Sequence, residues 1–117
     1  MTYLSIPRGD DGILDVVVTD RDTGDPIDLT GAELTFMVKR DRRDADADAI
    51  LAKTVGSGIT VAAPTTGIAV VAIDAADTDA ATPGACWWEL QSVDVTSKVH
   101  TLASGRFVIT ADLVREA

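Results

Sequence analysis

Basic residues are scarce in this 117-residue chain: ten Lys and Arg against 19 Asp and Glu give a formal net charge of −9. Nucleic-acid binding by phosphate neutralisation needs clustered Lys and Arg, so this balance argues against it. It argues equally against docking on an anionic membrane surface. Cys86 is the single cysteine, which excludes an intrachain disulfide and removes any demand for an oxidising compartment. No run approaches the roughly 20 apolar residues of a membrane span. The start, "MTYLSIPRGDDG", lacks the basic head and long apolar stretch of a signal peptide. Synthesis in the cytosol is therefore expected. Long helical periodicity is absent, as are a P-loop, GxGxxG, CxxC and HExxH. Aromatics are few: two Trp, two Phe and one Tyr.

What is abundant is Val, Ile and Ala in short runs between turn formers, and the β-branched residues favour strands. "GILDVVVTD" is nearly continuous in apolar residues around Ile13 to Thr19, as in a well-covered strand. "DRDTGDP", residues 20–26, collects turn formers. In "AELTFMVKR", Leu34, Phe36 and Val38 alternate with Glu33, Thr35, Met37 and Lys39, a period of two with one face buried. "RDRRDADAD", residues 40–48, breaks all periodicity and reads as an exposed charged loop. "AILAKTV", "ITV" and "IAVVAI" supply three more strands, separated by turns at "GSG" and "APTTG". "DAADTDAATPG" accommodates one helical turn before Pro83 and Gly84 end it. "ACWWELQSVD", a turn at "VTSK" and "VHTLASGRFVIT" complete the pattern, with a bend expected at Ser104-Gly105 and a short charged tail, "DLVREA". About seven short strands at this spacing suit a single all-β domain, an immunoglobulin-like antiparallel β-sandwich spanning residues 1–117.

Candidate chemistry is sparse. His100 and Cys86 could meet on neighbouring strands, but Cys86 shares its face with apolar residues, where a cysteine behaves as a small hydrophobe. Asp20, Asp22 and Asp25 surround Gly24 on a turn. Their spacing lacks the ligand number and distal Glu of an EF-hand loop, and a solvated hairpin turn is the plainer reading. "RGD" at Arg8 to Asp10 is a three-letter match, read as a charged loop, and "DADAD" at 44–48 as a solvated crest. No catalytic, metal or cofactor site is assigned, and an enzyme is the weakest of the function classes.

The adjacent tryptophans carry more information. Neighbouring strand residues point to opposite faces. Cys86, Trp88 and Leu90 form the apolar face and belong to the core with Leu34, Phe36, Val38, Phe107 and Ile109. Trp87 then shares a polar face with Glu89 and Gln91. It is either covered by a loop or side chain of its own domain, or it anchors an interface, where Trp is enriched.

Three stretches together resemble a known family. "IDLTGAELTFMVKR" is similar to its entry strands, "LAKTVGSGITVAAPTTGIAVVAI" to its middle, and "DTDAATPGACWWELQSVDVTSKVHTLASGRFVIT" to its end. The family is the immunoglobulin-like domain at the N-terminus of the upper baseplate protein of siphophages, and the likeness covers about residues 10–113. Cys86 stands where the family usually has an aromatic. In the family a linker and a docking region follow this domain, whereas this chain stops at Ala117. The resemblance implies a non-enzymatic virion protein, made in the host cytoplasm and present in symmetric copies or as a homo-oligomer. Its partners would be other virion proteins of the capsid, tail or baseplate. Candidate contact elements are an N-terminal arm at residues 1–9 with Tyr3, Leu4 and Ile6, the loop at 40–48, and the face of Trp87, Glu89 and Gln91. The arm is apolar enough to add as a strand to a neighbour's sheet edge. The alternative is a carbohydrate- or host-surface-binding module using Trp87.

Overall fold

A computed structural model describes residues 2–20 and 22–111, with side chains from Leu4 onward. Within those residues the chain is all-β. Its strands are β1 (Thr2–Pro7), β2 (Gly12–Val17), β3 (Glu33–Lys39), β4 (Leu51–Val55), β5 (Gly58–Thr60), β6 (Ile68–Ile73), β7 (Gly84–Val93) and β8 (Val99–Thr110). One helical turn, α1 (Ala75–Thr78), lies between β6 and β7. The strands form one eight-stranded sheet in the order β1-β8-β7-β3-β4-β5-β6-β2. The sheet is mostly antiparallel and curls nearly into a barrel.

Two pairings depart from the antiparallel expectation. β1 runs parallel to β8, with Leu4 beside Phe107 and Ile6 beside Ile109. The segment expected to project as an arm is thus an edge strand of its own sheet. The physical reason is burial: Ile6 is 5% exposed within the core, and a free arm would leave it in water. β4 and β5 are also parallel, although only two residues separate them. Gly56 and Gly58 make this tight coil feasible, because both have positive φ, 85° and 106°.

The inner face carries Leu34, Phe36, Val38, Cys86, Trp88, Leu90, Phe107 and Ile109, all buried, with Val16, Ile59, Val71 and Ile73 from the other half of the sheet. Trp88 and Phe36 stack at 5.6 Å between ring centroids, with their planes 27° apart. Gly105 pairs directly with Trp88 and, lacking a side chain, leaves room for the indole. The expected bend at Ser104-Gly105 is displaced: the register slips at Leu90/Gln91, where Leu102 is the extra residue of a bulge.

The sheet's first and last strands, β1 and β2, are joined by the turn at residues 8–11. At this end of the seam, a Cβ on Gly12 would lie 2.8 Å from the Ile6 side chain. α1 clips the turn in place. The Gly9 N–H donates to the buried Thr78 hydroxyl at 2.9 Å, and the Ala75 N–H donates to the Asp11 carboxylate at 2.7 Å. A capping box between Asp74 and Asp77 starts α1. Asp77 also binds Lys53 at 2.8 Å, holding an ammonium whose side chain is only 11% exposed.

Candidate functional site: the outer face around Trp87

The antiparallel register of β3, β7 and β8 builds one outer face. Trp87 lies opposite Lys39 on β3 and opposite Arg106 on β8. Glu89 lies between Met37 and Ser104, and Gln91 between Thr35 and Thr101. The period of two along β7 therefore puts Trp87, Glu89 and Gln91 in a row whose cross-strand neighbours are polar except for Met37.

The charged loop of residues 40–48 folds back over this row. It includes a 3-10 turn at Asp46–Asp48, and Asp46 binds Lys39 at 2.6 Å. In the same loop Arg42 lies over the indole of Trp87, its guanidinium carbon 3.9 Å from the ring centroid. From β8, Arg106 reaches the same indole at 5.1 Å. Trp87 is half-buried as a result. Both sources of cover come from its own domain, one a loop and one a cross-strand neighbour.

Beside the stack lies an open groove of about 390 Å³, lined among others by Met37, Lys39, Arg42, Glu89, Gln91 and Ser104. Glu89 is turned toward β8, where it accepts the Thr101 hydroxyl at 2.8 Å. Other carboxylates near the loop are engaged locally. Asp41 accepts the Arg43 N–H at 2.9 Å, and this backbone bond is the main reason its pKa lies below the usual value. Arg40 donates to the Thr82 carbonyl, tying the loop to the start of β7.

The other sequence candidates lie elsewhere. Leu4 and Ile6 sit on β1, Leu4 half-buried and Ile6 in the core; the Tyr3 side chain, Met1 and residues 112–117 lie outside the described residues. Cys86 and His100 are not brought together. Cys86 pairs with Phe107 on the inner face, while His100 pairs with Ser92 six positions along β7, roughly 20 Å away. Burial raises the Cys86 thiol pKa, the opposite of what an activated nucleophile needs. His100 instead faces Asp94 at 3.5 Å. Asp20 spends one oxygen on the Asp22 and Thr23 N–H groups, at 2.8 and 3.1 Å, which lowers its pKa and closes the turn. Among the described residues, no cluster of three or more His, Cys, Asp or Glu could hold a metal ion. Among them, too, no helix is long and apolar enough to cross a membrane.

The loop's part in the site was not legible from composition. A run of alternating charge reads as solvated, and the contacts that hold it against the sheet, Lys39 to Asp46, Arg40 to the Thr82 carbonyl and Arg42 on Trp87, form only once the strands are in place. The chain matches no protein-family model, and no curated protein matches it.

Proposed function

We propose that this chain is a non-enzymatic structural module of a phage particle that binds neighbouring virion proteins and occurs there in symmetric copies. On this reading the curled sheet is an immunoglobulin-like sandwich with one layer of β1-β8-β7-β3 and another of β4-β5-β6-β2. The virion assignment draws on the likeness of the three sequence stretches to the siphophage baseplate domain. The observation that supports a binding role is the Trp87 stack. Among the described aromatic side chains, Phe36, Trp88 and Phe107 are buried, whereas Trp87 stands on the outer face between two arginines. Trp and Arg are the residue types that dominate the energetics of protein contacts, and a sheet face holds them in fixed geometry.

Mass spectrometry of purified particles, followed by cryo-electron microscopy, tests the assignment. Density on the head makes the protein a capsid decoration; density at the tail or baseplate makes it part of the adsorption apparatus. Absence from the particle removes the proposal. The groove beside Trp87, with Glu89 and Gln91 on its wall, favours a second reading as a carbohydrate-binding module. Arg42 would have to leave the indole before a sugar ring could stack there, and glycan-array binding would separate the two readings.

A further inference from the structure

The distribution of cations is uneven. Five of the ten Lys and Arg residues, Lys39, Arg40, Arg42, Arg43 and Arg106, lie on the loop after β3 or beside Trp87. Three of them have local partners: Lys39 binds Asp46, Arg43 binds Asp41 and Arg40 binds the Thr82 carbonyl. Arg42 and Arg106 differ. In a chain with 19 carboxylates, the contact found for each of them among the described residues is the face of one indole. Glu89, their nearest acidic neighbour on β7, is bonded to Thr101 instead.

A guanidinium stacked on an aromatic uses its flat face and keeps its five N–H donors at the edge, in the fork geometry that matches a carboxylate. Trp87 thus carries two such forks: Arg42, which lines the groove, and Arg106, which reaches the same indole from β8. We propose that this stack is a docking site for an acidic peptide segment of a partner protein, whose carboxylates engage the edges of Arg42 and Arg106 while its backbone lies along the groove. The proposal deepens the virion reading by naming the chemistry of the partner. A nucleic acid fits less well. Affinity for a phosphate backbone is built by neutralising many phosphates with clustered Lys and Arg, and this face offers two guanidinium edges in a chain of net charge −9.

The test is fluorescence anisotropy of a labelled hexaglutamate peptide titrated with the full chain. Hexaglutamine serves as the neutral control and a single-stranded oligonucleotide as competitor. Binding of hexaglutamate but not hexaglutamine is expected, weakened as salt rises. Arg42→Gln and Arg106→Gln should each weaken it about tenfold, as expected for losing one charge-assisted contact. The oligonucleotide should not compete. Arg42 lies in a loop, so its variant carries the test even if Arg106→Gln disturbs β8. Absence of hexaglutamate binding, equal binding of hexaglutamine, unchanged affinity in the Arg42 variant, or full competition by the oligonucleotide would each overturn the proposal. These outcomes are independent of particle composition: absence from the virion would remove the structural role and leave the peptide site standing, and the reverse also holds.

Discussion

Replacing each tryptophan by alanine should have very unequal consequences, although the two are adjacent in the chain. Trp88 is 3% exposed, faces Gly105 and stacks on Phe36. Removing its side chain leaves a large cavity in a core that relaxes only partly. Such losses cost about 3–5 kcal/mol, a large share of the roughly 5–15 kcal/mol that stabilises a domain. Trp87 is half-buried on the outer face, and its main contacts are two guanidinium stacks. At exposed sites each is worth about 0.5–1 kcal/mol, so Trp87→Ala should cost about 1–2 kcal/mol. Urea titration followed by far-ultraviolet circular dichroism is the suitable assay, because each variant removes one of only two indole fluorophores. With a slope near 2 kcal/mol per molar, Trp88→Ala should lower the midpoint by roughly 2 M and Trp87→Ala by less than about 1 M. Trp88→Phe should recover part of the loss by keeping a ring against Phe36. Equal losses for the two alanine variants, or a larger one for Trp87, would refute the assignment of inner and outer faces.

Three further outcomes follow from the geometry. Asp15 sits on the outer face of edge strand β2 between Ile13 and Val17, which are 72% and 60% exposed, so Asp15→Val should promote concentration-dependent association in sedimentation velocity. A variant that sediments like the wild type at every concentration would show that this edge is guarded by something else. Asp94 has its pKa lowered to about 2, first by the Thr96 hydroxyl and then by the Lys98 N–H. A depressed carboxylate pKa stabilises the fold above the unfolded value and ceases to do so as pH falls through the folded value. The melting-temperature gap between wild type and Asp94→Asn should therefore be full above about pH 4 and close toward pH 2; a gap that persists at pH 2 contradicts the assignment. Asp77→Ala should cost about 1–3 kcal/mol because it strands the nearly buried Lys53 ammonium, with only Asp74 at 3.7 Å to compensate. Lys53→Met, which removes the charge and keeps an apolar stem, should stay within about 1 kcal/mol of wild type by thermal denaturation, and a larger loss than in the Asp77 variant would show that the ion pair itself stabilises the fold.

Local pattern was informative where a strand has one buried and one open face. In 33–39 and 86–90 the alternation of apolar and polar residues tells which side chains turn inward, because the strand period is two whatever the sheet around it. Trp88 on the inner face and Trp87 on the outer one follow from that period alone. Turn chemistry was equally local: "GSG", "APTTG" and the Asp-initiated turns occur between strands, and Asp20, Asp28 and Asp94 close their own turns through side-chain bonds to nearby N–H groups. β1 was harder to place. "TYLSIP" has the apolar content of a strand, but nothing in those residues says whether the edge it pairs with belongs to its own chain or to another.

Composition and periodicity thus decide that the chain is all-β, strongly acidic and built around an inward row from Leu34 to Ile109. These properties depend on residue type and on neighbours one or two positions away. Strand order, the parallel placement of β1 on β8, the near-closure of the sheet and the folding of loop 40–48 onto Trp87 depend on partners far along the chain. Phe107 beside Leu4, Thr78 beneath Gly9 and Arg106 across from Trp87 are separated by 19 to 103 positions, and only packing of the whole sheet brings them together. The Trp87 site belongs to that second group: its indole could be placed outward by counting along one strand, but its two arginines come from a loop and a strand that meet there only in three dimensions.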